Sequence, residues 1–124
     1  MRNYRITLED ALQAHDESLL IGGRAGIASL HLLESAIARP YSGYHRSISK
    51  KAAALLQSVA SNHSFIDGNK RTAWLLVILL IERSGYDLVA KPDDRIDDFV
   101  VDIVNRALSI DAIVNWFEDR IARP

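Results

Sequence analysis

Cysteine is absent from this chain, which excludes disulfides, thiolate metal sites and cysteine nucleophiles and suits a reducing compartment. Proline is nearly as scarce: Pro40, Pro92 and Pro124 are the only three, each where an element is expected to end. Surplus charge of either sign is missing. Fifteen Lys and Arg against sixteen Asp and Glu leave −1, which removes the electrostatic basis for sequence-independent nucleic-acid binding. The opening Met1-Arg-Asn-Tyr-Arg-Ile-Thr7 lacks the apolar segment of a signal peptide. The one long apolar run, Ala73 to Ile81, is too short for a bilayer, which takes about 20 residues. Linkers, repeats and low-complexity tracts are also lacking. The expectation is a soluble, cytoplasmic protein, without membrane or direct nucleic-acid partners, forming a single domain over residues 1–124.

What is present is helical periodicity in a chain that is 48% hydrophobic. Thr7 with Asp10 resembles a capping box, and Leu8, Ala11, Leu12 and Leu19 then predict a helix from Thr7 to Leu20, stopped by Gly22-Gly23. Ala28, Leu32, Leu33, Ala36 and Ile37 predict a second helix, closed by Arg39-Pro40 before a loop from Tyr41 to Arg46. Ser47 or Ser49 can cap a third, carrying Ala52, Leu55, Leu56, Val59 and Ala60 to Asn62. A fourth runs from about Asn69 to Gly85, buried along Ala73 to Ile81, and Tyr86 to Ala90 is expected to be extended. Pro92-Asp93-Asp94 opens a fifth helix and Ser109 with Asp111 a sixth. The fold class expected is all-α, a compact bundle of about six helices around one hydrophobic hairpin.

Chemistry concentrates in His63-Ser-Phe-Ile-Asp-Gly-Asn-Lys-Arg71, between the third and fourth helices. Histidine titrates nearest neutrality, so His63 is the candidate general base for a hydroxyl nucleophile. Asp67 supplies a hard oxygen ligand of the kind that shares Mg²⁺ with substrate phosphates. Gly68 permits close backbone approach, and Asn69, Lys70 and Arg71 open a helix whose free N–H groups favour an anion. Lys70 adds a compact charge and Arg71 a planar fork. Phe65 should point inward and pin the loop. Singly, such residues are commonplace turn and cap residues; the meaning lies in their conjunction.

Elsewhere the signals are weaker. His15, His31 and His45 share no metal-ligand spacing, which leaves them solvated or packing roles, though His45 in the Tyr-rich loop is placed to touch a substrate. Trp74 and Trp116 fall in apolar stripes and read as core. Asp93, Asp94, Asp97 and Asp98 read as first-turn acids that complement a helix dipole, not as a second metal site. Arg24 and Arg46 flank loops and are candidates for holding nucleotide or acceptor.

The run His63-x-Phe65-x-Asp67-Gly68-Asn69-Lys70-Arg71-Thr72-Ala73 resembles the signature of the Fic/Doc family in its Doc (death-on-curing) branch, and Leu32 to Pro40 is similar to the segment that precedes it in Doc-like toxins. The resemblance implies an Mg²⁺-dependent transfer of part of ATP to a protein hydroxyl. His63 would be the base, Asp67 the metal ligand, and Phe65, Gly68, Asn69, Lys70 and Arg71 the nucleotide-binding set. Fic adenylyltransferases instead resemble His-Pro-Phe-x-x-Gly-Asn-Gly-Arg-x-x-Arg, and Ser64, Lys70 and Trp74 depart from that pattern. Lysine at the second-glycine position is similar to Doc, which implies γ-phosphate transfer, a protein kinase that arrests translation through elongation factor Tu. AMP transfer and a catalytically silent partner-binding module are the alternatives; a nuclease is disfavoured by the charge balance. The chain shows no match to the inhibitory Ser/Thr-x-x-x-Glu-Gly/Asn helix of some Fic proteins, so the resemblance implies an external, Phd-like antitoxin.

Overall fold

The computed structural model describes residues 3–124 and contains six α-helices and one two-stranded sheet. The first helix, α1, spans Leu8–Ser18 behind the expected capping box: Asp10 donates its N–H to Thr7 Oγ1 at 3.0 Å, and Thr7 donates its own N–H to Asp10 Oδ2 at 3.0 Å. It ends two residues earlier than expected because Leu19–Ile21 tighten into a 3₁₀ turn before Gly22. Helix α2 covers Leu30–Ala38 with Ser29 as its cap, so Ala28 lies outside it. Leu32 faces solvent, and the inward stripe is Leu33, Ala36 and Ile37. Pro40 does not end the segment; it sits inside a 3₁₀ turn over Arg39–Tyr41, so the loop begins at Ser42.

Helix α3, Ile48–Ser61, is capped by Ser47, while Ser49 is buried within it. Its Ala52, Ala53, Leu55, Leu56, Val59 and Ala60 are nearly all inaccessible, and the small residues let α3 lie close against its neighbours at the centre of the molecule. Helix α4, Asn69–Arg83, packs on it after a short connection, which makes α3 and α4 the central hairpin. The apolar run on α4 is not buried all round. Ala73, Leu76, Val77, Leu80 and Ile81 are inaccessible, whereas Trp74, Leu75, Ile78 and Leu79 are only half-buried. A Schellman motif closes α4: Gly85, at φ 88°, donates to Glu82 O and Tyr86 donates to Ile81 O, both at 3.1 Å.

Strand β1, Asp87–Leu88, lies in the expected extended piece, and it pairs antiparallel with β2, Ile121–Ala122, which no local pattern announced. Helix α5, Ile96–Val104, begins later than expected because Pro92 to Asp94 form a turn ahead of it. Asp94 is therefore no helix-dipole acid. It takes two 2.7 Å hydrogen bonds from Arg120, whose guanidinium also stacks 4.1 Å above Trp116. Helix α6, Ile110–Glu118, is capped by Ser109. Phe99 of α5 stacks on Trp116 at 4.1 Å and locks α5 to α6. No helix among the described residues is long and apolar enough to cross a membrane.

Candidate active site

Asn62 caps α3, and His63 follows at φ 53°, in the left-handed conformation that a helix end usually gives to glycine. The imidazole is exposed and has no hydrogen-bond partner among the described residues, so a hydroxyl can reach it. The next residues turn inward. Ser64 accepts from Ala28 N–H (2.8 Å) and Ser29 N–H (3.0 Å), and Ile66 donates to Gly26 O (3.0 Å), so the 26–29 segment runs antiparallel beside the loop with Ile27 opposite Phe65. Ser64 Oγ is buried without a partner among the described residues.

Phe65 is 1% exposed and does pin the loop, so its side chain supports the nucleotide-binding set from beneath. Asn69 is likewise drawn into the loop's own structure. Its side chain accepts from Phe65 N–H at 3.0 Å and donates to Phe65 O at 2.9 Å, a two-bond staple that leaves its second side-chain N–H and its main-chain N–H for a ligand. Beneath both lies His15 of α1, 5% exposed, its ring stacked on Phe65 with 3.8 Å between centroids and 7° between planes. His15 Nε2 donates to Asp67 O at 2.8 Å; a carbonyl only accepts, so that nitrogen carries the proton. Sequence reasoning left His15 a solvated or a packing role. The signal available was its place on the apolar stripe of α1, one turn beyond Ala11.

Asp67 is exposed, yet its carboxylate is anchored: Oδ2 accepts from Arg24 N–H at 3.1 Å and Oδ1 from Gly68 N–H at 2.9 Å. These two N–H groups, Arg24's foremost, hold the carboxyl below the usual carboxylate range against a desolvation cost, helped by the Arg24 and Lys70 charges. Each oxygen keeps a lone-pair direction open, which fits a hard cation shared with a phosphate. Gly68 then enters α4 at φ 79° with Ser18 Oγ only 2.7 Å from where a Cβ would stand. The main-chain N–H groups of Asn69, Lys70 and Arg71 have no acceptor among the described residues, and no side chain caps this helix start. An anion fits there.

The two cations differ. Arg71 donates Nη1 to Ser18 O at 2.6 Å, satisfying a carbonyl at the end of α1, so only part of its fork is left for a phosphate. Lys70 is exposed and unpaired among the described residues. These groups floor a cleft of about 560 Å³, walled on one side by Ile21 to Gly23 and on the other by Ile96, Asp97, Val100 and Val101 of α5. Trp74, expected in the core, is half-buried and lines the same cleft. His63 is not part of its lining. Arg24 joins the site through its backbone. His45 and Arg46 do not: they precede α3, whose length puts them roughly 20 Å from the loop.

An exposed imidazole, an anchored carboxylate and an uncapped helix start thus meet between α3 and α4. A model of the Fic/DOC family matches residues 5–81, more than half of the chain, and the protein belongs to that family. It is 39% identical over 112 residues to the toxin Doc of Mycolicibacterium smegmatis, an alignment covering 85% of this chain and 84% of that protein.

Proposed function

We propose that this protein is a Doc-like toxin that transfers the γ-phosphate of ATP to a hydroxyl of a target protein. The observation that carries the reading is the separation of base from cradle. The free N–H groups of α4 and Lys70 open into the cleft, whereas His63 stands outside its lining. A nucleoside seated against the apolar α5 wall leaves the phosphate tail as the part of the nucleotide extending toward His63. The acceptor O–H would lose its proton to the imidazole as the oxygen bonds to the γ-phosphorus, the P–O bond to the β-phosphate breaks, and ADP leaves. The N–H groups, Lys70 and the free part of the Arg71 fork would hold the phosphate oxygens in place during transfer. Asp67 is the residue that would hold Mg²⁺, which when bound neutralises charge on the phosphates.

Likeness to the toxin Doc favours a paired antitoxin as the partner. The groove between α1 and α4, with Ala14, Leu75, Ile78 and Leu79 on its floor, is the surface we assign to an antitoxin tail. Elongation factor Tu is the first acceptor to try, and translation arrest the first effect to look for. The test is incubation of purified protein with lysate and γ-labelled ATP. Label should enter a protein acceptor and vanish with His63→Ala. Label from α-labelled ATP alone would establish AMP transfer instead, and growth arrest that survives His63→Ala would establish a silent binding module.

A further inference from the structure

The α5 wall of the cleft lies beyond residues 5–81, the part matched by the family model, and it carries one carboxylate, Asp97, that complements the dipole in the first turn of α5 but has no side-chain partner. Asp94 is held by Arg120, and Asp98 pairs with Arg95 at 3.4 Å. Asp97 has neither an ion pair nor a hydrogen bond among the described residues, and it faces the cleft. A carboxylate is a poor neighbour for phosphate, so beside Lys70, Arg71 and the free N–H groups of the same cleft Asp97 suits another kind of ligand atom. The cation proposed for this cleft is already assigned to Asp67, the carboxylate beside the phosphate-binding N–H groups. Neutral donors remain, since an ionised carboxylate only accepts hydrogen bonds.

We propose that Asp97 accepts hydrogen bonds from the ribose hydroxyls of the nucleotide, making it a specificity-determining residue for ribonucleotides; this rests on the nucleotide reading of the cleft given above. The lining of the cleft holds a surface suited to each part of a nucleoside triphosphate. Phosphate-binding N–H groups lie at the start of α4, and Trp74 stands roughly 7 Å further along that helix. Val100 and Val101, on the face of α5 next to Asp97, offer an apolar surface for a base. The ribose diol is the part left for the carboxylate, as an acidic residue takes the ribose hydroxyl in dinucleotide-binding folds.

The test is calorimetric binding of four ligands with Mg²⁺ present: ATP, 2′-deoxy-ATP, GTP and inorganic tripolyphosphate, to wild type and to Asp97→Ala. Asp97 is exposed, so the variant should fold. Wild type should prefer ATP to 2′-deoxy-ATP by about tenfold, the worth of a charge-assisted hydrogen bond. Asp97→Ala should weaken ATP by about the same factor, erase that preference, and leave tripolyphosphate binding unchanged or slightly tighter. The proposal is overturned if wild type shows no ribose preference, if the preference persists in Asp97→Ala, or if tripolyphosphate weakens as much as ATP. It is also overturned if the variant loses discrimination between ATP and GTP but keeps the ribose preference, which would assign the carboxylate to the base. Binding of none of the four by wild type would bring down the nucleotide reading itself, and this inference with it.

Discussion

The imidazole of His15 lies flat on the ring of Phe65 and reaches past it to hold the carbonyl oxygen of Asp67 at 2.8 Å. One buried side chain of α1 thus supports both the inward anchor of the loop and the residue that carries its carboxylate. Replacing it by phenylalanine keeps the stacking and removes the hydrogen bond. His15→Phe should fold, lose about 1 kcal/mol of stability in denaturant titration, and transfer label at least tenfold more slowly because the backbone of Asp67 loses one of the three hydrogen bonds that position the residue. A variant with the wild-type transfer rate would reduce His15 to a packing residue.

His63 occupies a left-handed conformation, φ 53°, that costs an L-residue free energy. His63→Gly should be more stable than wild type by up to about 1 kcal/mol while transferring nothing; His63→Ala should be equally inactive without that gain. Thermal melts of the two variants side by side make the comparison. Equal melting temperatures for both would show that the loop holds no such strain.

At Gly68 the same geometry works in the opposite direction. The residue sits at φ 79°, and a Cβ there would stand 2.7 Å from Ser18 Oγ. Ser18 is fully buried and its hydroxyl is engaged with His15 O and Thr72 Oγ1, so it cannot simply swing away. Gly68→Ala should lose about 1 to 3 kcal/mol, read from the urea midpoint.

Asp94 and Arg120 fasten the turn before α5 to the end of α6. The hydrogen bonds from Arg120 lower the Asp94 carboxyl from its ordinary 3.8 to about 2. A carboxyl whose folded value is depressed adds stability that is complete above its unfolded value and disappears as pH falls through the folded one. The gap in melting temperature between wild type and Asp94→Asn should therefore stay constant from neutral pH down to about 4 and close toward pH 2. A gap that persisted at pH 2 would mean that the clamp does not act through the ionised carboxylate.

Much of the frame was legible in the sequence because it is set by near neighbours along the chain. The Thr7 capping box, the caps at Ser47 and Ser109, the Gly85 stop and the start of α4 at Asn69 each depend on hydrogen bonds spanning only a few residues. His63 and Asp67 were picked out because their residue types and spacing are themselves the signal. What the sequence did not show is where side chains are claimed by distant or competing groups. Asn69 makes two side-chain hydrogen bonds to Phe65, and Phe65 is buried against His15. Trp74 packs on the core beside Trp116 and Phe117, as read, and its outer part also lines the cleft, because the apolar stretch of α4 has more surface than its neighbours cover.

The sequence by itself determined that the chain is helical, that its candidate catalytic residues gather in 63–71, and that Lys70 stands where the resemblance to Fic adenylyltransferases would put glycine. Periodicity, capping and motif order are local properties, fixed by which residues follow which. Only the tertiary structure decided which of those residues are free to act. Contacts across 43 to 53 positions anchor Asp67 on Arg24 and His15 and tie Arg71 to Ser18. Packing of α5 beside α4 completes a cleft whose far wall, with Asp97, is separated from the motif by the whole of α4. Such pairings depend on how helices stack in space, and a single sequence carries no record of that until it is folded.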